Sequence, residues 1–272
     1  MQTSRFLALA LVAAAALVSG CREDDGIITE PRPPLGFVRF VHAVRDTGAL
    51  DYRFVDQVEY APFQLGLGFR GVGRYQGATT GQRRFRVFPT SNNVAVTSQI
   101  LIDTTITIEA DKYYTLLHVG EARAGTTTPD RVIVIEDTPA TFPAAGQVAV
   151  RAVHAGTGIA NVDIYGTAAA TDPLPATPAF ANVAFLQRSA YAVRATGAFA
   201  VQVTAAGQRT VLIASAAPAG TAGTTAANPI GGVTIAGSVL TGFAFPTGLG
   251  ANAGITAPSV IWALDRRPPD TF

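Results

Sequence analysis

Cysteine occurs once in this chain of 272 residues, at Cys21, and that scarcity excludes any intrachain disulfide. An exported fold built this way must be held by burial and hydrogen bonding alone. Charge is also scarce: 14% of the residues are Asp, Glu, Lys or Arg, and the formal net charge is +1. So neutral a chain lacks the electrostatic footprint that nucleic acid or an anionic lipid surface requires of a partner. Lysine appears only at Lys112, and histidine only at His42, His118 and His154, too few and too scattered for a convincing zinc site. There is no phosphate loop ending in Gly-Lys-Ser/Thr, no His-Glu-x-x-His helix, no Gly-x-Ser-x-Gly elbow and no acidic loop with calcium spacing. The expectation is a protein with no cofactor, no metal and no catalytic residues. The longest apolar run, Phe6 to Val18, is thirteen residues, short of the roughly 20 that a spanning helix needs.

That run has a different meaning. Arg5 gives it a positive start, small residues follow it, and the charged Arg22, Glu23, Asp24 and Asp25 come directly after Cys21. This is the build of an export signal, expected to occupy residues 1–20 and to be removed. The stretch Leu17-Val18-Ser19-Gly20-Cys21 resembles a bacterial lipobox, in which an aliphatic residue and two small ones precede the cysteine that is acylated and exposed by cleavage. The resemblance implies that Cys21 carries the lipid, palmitate among its acyl chains. Multiple acyl chains hold a protein on a membrane without spanning it, since each buried CH₂ adds about 0.8 kcal/mol. Arg22 stands where inner-membrane retention would call for Asp, which favours the outer membrane, on its periplasmic face or at the cell surface. Residues 21–35, with Pro31, Pro33 and Pro34, read as a flexible tether.

The remainder of the chain repeats itself. Val38-Arg39-Phe40-Val41-His42-Ala43 recurs as Val150-Arg151-Ala152-Val153-His154-Ala155 at an offset of 112, and Asp51 and Asp163 keep that offset. Phe69, Tyr75, Thr80, Gly81 and Val87 match Phe185, Tyr191, Thr196, Gly197 and Val203 at an offset of 116, so four extra residues lie in the loop around Thr167 to Pro178. Thr115 matches Thr241, and Val132-Ile133 with Asp137 matches Val260-Ile261 with Asp265. A repeat of this length is a whole domain. The copies are placed at residues 36–143 and 144–272, each with a complete set of strands and each expected to fold by itself.

Within a copy the pattern is that of short strands. Ile100 to Glu109 alternates in polarity, Lys112 to Val119 and Arg131 to Ile135 are β-branched or aromatic, and no segment keeps a helical period. Pro62, Gly66, Gly68, Gly71, Gly73 and Gly81 cut the first copy into pieces suited to an antiparallel sandwich. The fold class expected is all-β, two tandem antiparallel β-sandwich (immunoglobulin-like) domains. Ser215 to Gly232, rich in Ala, Gly, Thr and Pro, reads as a mobile loop. Tyr113, Tyr114, Phe243, Phe245 and Trp262 lie in apolar runs and are assigned to the core rather than to a sugar platform. Phe272 is a terminal aromatic of the kind that ends membrane barrels, but Arg266-Arg267-Pro268-Pro269 before it cannot form a lipid-facing strand.

The run Val-Arg-x-x-His-Ala, followed nine residues after the histidine by Asp in a β context, resembles the bacterial domain of unknown function 4397. Val162-Asp163-Ile164-Tyr165 matches that family's Val-Asp-Val-Tyr strand, and Tyr191 and Gly197 fit its later tyrosine and glycine, whereas the first copy has Leu50-Asp51-Tyr52-Arg53 instead. The resemblance implies an exported envelope protein with a sandwich-like module, and supplies no catalytic residues to carry over.

The most specific polar pattern is His42 with Asp51 and His154 with Asp163. Each histidine closes a strand and each aspartate sits in the next, so the two are expected to meet as a polar pin that fixes strand register, ahead of a metal or ligand site repeated once per domain. The function expected is a non-enzymatic binding or structural role on the cell envelope. Its partners are the membrane, through the N-terminal lipid, and an envelope protein or an extracellular polysaccharide. The alternative is an envelope hydrolase with a site at the domain junction, drawing on Asp172 and Asp265 or on Glu136 and Asp137.

Overall fold

In the computed structural model, residues 32–137, 143–225 and 227–268 are described. The export signal with Cys21, the tether as far as Pro31, residues 138–142 and Phe272 lie outside them. Two units are distinguished, the first ending at Pro34 and the second running from Leu35 to the C-terminus, and the strands of both copies belong to the second.

The first copy forms β1 (Leu35–Val44), β2 (Leu50–Phe54), β3 (Phe63–Leu67), β4 (Gln76–Thr79), β5 (Gly81–Pro89), β6 (Ile102–Ile108), β7 (Tyr113–Gly120) and β8 (Arg131–Glu136). The second repeats the series as β9 (Gln147–His154), β10 (Val162–Thr167), β11 (Phe180–Val183), β12 (Ala192–Ala195), β13 (Ala200–Ala205), β14 (Val211–Ala216), β15 (Val239–Phe245) and β16 (Ser259–Arg266). Each copy is a pair of four-stranded sheets, ordered β4-β1-β7-β8 and β3-β2-β5-β6 in the first, β12-β9-β15-β16 and β11-β10-β13-β14 in the second. This is the expected sandwich, given twice. It departs from a purely antiparallel one at β1·β7 and β9·β15, which pair in parallel. The one α-helical turn among the described residues, Val94–Thr97, is capped by the Asn93 side chain, which accepts from the Ala95 N–H.

Burial along the strands explains the sequence pattern. Strands β5 and β6 alternate between buried and exposed positions, because one face of their sheet meets water. Nearly every residue of β1, β7, β9 and β15 is buried, the signature of strands covered on both faces. One covering layer is the partner sheet of the same sandwich: Val38, Phe40 and Leu116 pack on Tyr52, Phe54 and Phe85. The other comes from the opposite copy. Val41, Ala43, Leu117, Val119 and Ile135 of the first copy form one apolar cluster with Val153, Ala155, Phe243, Phe245 and Ala263 of the second. The two copies therefore share a core, and four sheets stack as layers of a single compact unit.

The two sandwich interiors have drifted apart. Phe40, Tyr52, Phe54, Phe85 and Leu116 correspond to Ala152, Ile164, Gly166, Val201 and Gly242. Space is recovered from the rim, where Phe199 lies over Gly166 and Trp262 over Gly242 so closely that a Cβ at Gly166 would come within 2.8 Å of the Phe199 ring. Trp262 also donates its indole N–H to the Ser215 hydroxyl.

Ser215 to Gly232 differs from the open loop expected. Its first residues belong to β14, and Thr221 and Ile230 then exchange two backbone hydrogen bonds of 2.9 Å each. The chain crosses itself at Gly220 and Gly232, where a Cβ on Gly232 would sit 2.2 Å from the Gly220 nitrogen. Only glycine fits that approach, so the low-complexity composition serves backbone pairing. The insertion after Thr167 is also held down: Arg209 donates to the carbonyls of Leu174 and Pro175, and Gln202 to that of Asp172.

Because the shared core couples the copies, the chain is expected to unfold in one cooperative step. Trp262, the sole tryptophan, reports on the second copy, and its fluorescence should change together with far-UV circular dichroism across a denaturant titration. Two separated transitions would show the copies to be thermodynamically independent.

Candidate functional site at the repeat junction

In β1 the residues at odd numbers face the opposite copy, which places Arg39 in the shared layer beside Val41 and Ala43. Arg39 is 1% exposed, and a guanidinium so buried needs a partner for its charge and for each N–H. It donates through Nη2 to Asp265 Oδ1 at 2.6 Å, through Nη1 to the Leu264 carbonyl at 3.4 Å and through Nε to Thr115 Oγ1 at 2.7 Å. Arg151 makes the mirrored set: Nη2 to Asp137 Oδ1, Nη1 to the Glu136 carbonyl at 3.4 Å and Nε to Thr241 Oγ1 at 2.8 Å. Each arginine thus takes its hydroxyl from its own copy and its hydrogen-bonded carboxylate from the other, while Arg39 also lies 3.7 Å from Asp137 of its own copy.

Each carboxylate is completed by donors of its own copy. Asp137 accepts from the Thr115 hydroxyl and from Tyr75 OH at 2.7 Å; Asp265 accepts from the Thr241 hydroxyl and from Tyr191 OH at 2.8 Å. Arg39 lies 4.6 Å over the Tyr75 ring and Arg151 4.5 Å over the Tyr191 ring, adding a cation–π contact on each side. Burial is the largest influence and works against the Arg39 charge, but Asp265, Tyr75 and Tyr191 together outweigh it and its pKa is raised. Burial drives the phenols of Tyr75 and Tyr191 upward, so both stay neutral donors. The result is a closed cluster of two Arg, two Asp, two Thr and two Tyr with approximate two-fold symmetry.

All eight of these residues stand at matched positions of the repeat, yet sequence reasoning singled out only Asp137 and Asp265 among them, as carboxylates available to an enzyme. The signal that marks the site is an arginine among the largely apolar residues of β1 and of β9, and an aspartate at the end of the apolar run of β8 and of β16. The other carboxylates considered for that enzyme are elsewhere: Asp172 accepts from the Ala169 N–H on the insertion loop, and exposed Glu136 pairs with Lys112.

The expected histidine–aspartate pin takes another form. His42 accepts the Val44 N–H at Nδ1, and its Nε2 bonds the Gly48 carbonyl at 3.1 Å. His154 repeats this with the Gly156 N–H and the Ala160 carbonyl. Each imidazole therefore fastens the loop that follows its own strand. The aspartates act one strand further on. Asp51 accepts the Gly66 N–H and Asp163 the Asn182 N–H, and both donors belong to residues of left-handed conformation, φ 61° and 51°, beside a register shift between neighbouring strands. Asp163 also accepts the Gly207 N–H, and Asp51 the Thr90 hydroxyl. The hydrogen bonds of each histidine thus go to its own loop, and those of each aspartate to the bulge beside it and to a neighbouring turn, Asp51 pairing also with Arg53, because the hairpin-like return places a backbone donor, not the imidazole, against the carboxylate. Among the described residues no group of three or more His, Cys, Asp or Glu is placed to hold a metal ion.

The third histidine has no counterpart. His118 receives Tyr52 OH at Nδ1, 3.1 Å, and its Nε2 meets Asp130 at 3.0 Å, whereas the second copy has Ala244, Ile164 and Pro258 at those positions. The aromatic residues assigned to the core are buried or half-buried, Phe243 and Phe245 in the shared layer and Trp262 in the second sandwich.

Among protein families, a domain of unknown function, DUF4397, is found at residues 36–165. The match covers the first copy from residue 36 and continues through β9 to Tyr165 within β10 of the second, so it includes both Val-Arg-x-x-His-Ala strands. Comparison with curated proteins gives no match.

Asp265→Ala leaves the Arg39 guanidinium buried with its nearest countercharge removed, and should destabilise the fold by about 3–5 kcal/mol. The double variant Arg39→Met/Asp265→Ala should lose clearly less than the sum of the single variants in denaturant titrations; additive losses would show that the two do not interact.

Burial pushes the His42 pKa down to about 4, and His154 moves the same way. An unfolded histidine titrates near 6.5, so between those values the unfolded chain holds more protons and stability falls with falling pH. The His42 contribution, about 3 kcal/mol, is complete above pH ~6.5 and gone below pH ~4. The melting temperature should therefore drop steadily from pH 7 to 4.5, and His42→Gln should flatten that slope.

Proposed function

We propose that this chain is a lipid-anchored protein of the bacterial cell envelope, exported, acylated on Cys21 and held at the outer membrane, with a non-enzymatic binding or structural role. The observation that carries this reading is the Leu17-Val18-Ser19-Gly20-Cys21 stretch at the end of a thirteen-residue apolar run, in a chain with no other cysteine. We read the second copy, like the first, as a module of the 4397 type, because the junction residues and the His–Asp positions recur in it. The partners proposed are the membrane, through the lipid, and an envelope protein or polysaccharide bound at the surface of the modules.

The state of the junction carboxylates favours binding over hydrolysis. Asp137 and Asp265 are buried, and each is taken up by an arginine, a threonine and a tyrosine. A carboxylate acting as general base or nucleophile needs access to substrate and a proton to move. These two have neither.

Detergent phase separation tests the anchor. The wild-type chain expressed in a Gram-negative host should partition into the detergent phase, and Cys21→Ala should move to the aqueous phase. A Cys21→Ala protein that stays with detergent would refute the lipid-anchor reading.

A further inference from the structure

The chain joins the body at one end of the sandwich. The Leu35 carbonyl accepts the Asp111 N–H, Leu35 is paired with Thr79, and the Thr79 N–H bonds the Tyr60 carbonyl. The loops that surround the junction with the tether are therefore residues 55–62, 79–81 and 109–112. The first of them is unusually apolar for a loop: Val58 is 96% exposed, and Val55, Tyr60 and the neighbouring Phe63 are exposed as well.

The second copy turns the same end this way. Arg39 and Arg151, midway along β1 and β9, share the junction cluster, while Arg45, just beyond the end of β1, donates to the Thr157 carbonyl just beyond the end of β9. The two strands thus run side by side in one direction, and the start of β9 lies at the tethered end. Gln147 there accepts the Gly237 N–H from the segment that carries Ile230, 65% exposed. Around the same end Glu59, Glu109, Asp111 and Glu136 are offset by Lys112, Arg194 and Arg266, so neither sign of charge dominates and a surface covering it would be met by apolar contact.

About fourteen residues separate Cys21 from Leu35. On the reading of residues 21–35 as a tether, a chain of that length averages roughly 20 Å from end to end, whereas β1 alone is about 33 Å long, so anchoring at Cys21 would keep the tethered end nearer the bilayer than the opposite end. We propose that the body rests on the bilayer through this end, with Val58 and its loop in the first copy and Ile230 in the second inserted among the lipids, and that the opposite end, with Arg45, Asp46 and Val94, is the surface presented outward. The proposal rests on the lipid-anchor reading.

Single tryptophans placed in the full-length acylated chain test it, on a Trp262→Phe background, bound to phosphatidylcholine vesicles with ordinary or brominated acyl chains. Emission from Val58→Trp and Ile230→Trp should fall at least twofold with brominated lipid, and emission from Val94→Trp, at the far end, should not change. Vesicle-bound protein with no quenching at positions 58 and 230, or with quenching at 94 instead, overturns the proposal while leaving the anchor in place. A blue shift at position 58 that follows protein concentration without lipid overturns it also, in favour of a second copy as occupant. Chain that fails to float with vesicles at all removes the anchor reading first. Should Trp262→Phe fold poorly, amide hydrogen exchange on the wild-type acylated protein gives the same reading, since amides of residues 55–63 should exchange several-fold slower on vesicles and those of 90–101 should not.

Discussion

The exchange of counterions between Arg39 and Asp265, and between Arg151 and Asp137, is the constraint on which this architecture depends. A guanidinium in the middle of a buried strand is tolerated only where a carboxylate meets it, and in each copy the bonded carboxylate comes from the other. Removing either copy would leave one arginine and one aspartate exposed on a flat sheet face that also carries Val41, Leu117 and Val119, or Val153, Phe243 and Phe245. The reciprocal arrangement converts two sheets that could slide over one another into one register, because apolar contact is nondirectional and the forked hydrogen bonds are not.

This constraint bears on why the copies have diverged unevenly. Inside each sandwich, replacement of Phe40 by Ala152 or of Leu116 by Gly242 can be absorbed locally, and Trp262 and Phe199 fill the space that those changes open. The junction offers no such local repair. A change at Arg39 strands Asp265 in the opposite copy, so four matched positions, Arg39/Arg151, Tyr75/Tyr191, Thr115/Thr241 and Asp137/Asp265, remain identical between copies while the cores around them do not.

Much of the fold was legible in the sequence for reasons that are physical. Alternation in β6, unbroken apolar runs in β7 and β15, and glycines at the turns report local surroundings, and the internal repeat places the same elements twice. What repetition cannot report is whether matched residues meet within a copy or across copies, since both arrangements leave the same spacing. His42 and Asp51 recur together because each performs a local backbone task in both copies, and that recurrence looks the same as pairing. The junction cluster escaped for the complementary reason: its partners are 226 residues apart in one case and 14 in the other, so no common spacing joins them. The Gly220–Gly232 crossing was missed because small residues are read as absence of packing, although here they permit two backbones to touch.

The same closed cluster limits where recognition can occur. Within the eight-residue cluster every charged group is matched and every hydroxyl has a partner, and the cluster is flanked by apolar side chains already in contact. A ligand would have to displace bonds worth more than it could restore, since a buried charge that loses its partner costs several kcal/mol. Recognition is thereby left to surfaces that the junction holds at fixed spacing: the loops at the two ends of the paired sandwiches and the outer faces of the sheets β3-β2-β5-β6 and β11-β10-β13-β14. On the first of these faces Arg53, Arg84 and Arg86 stand beside Phe88, with Asp103 bonded to two of the arginines. The corresponding positions of the second copy include Ala200 and Gln202, which carry no charge. Two modules alike at their junction therefore offer unlike exteriors, and the rigid pairing turns that difference into a body with two distinct faces.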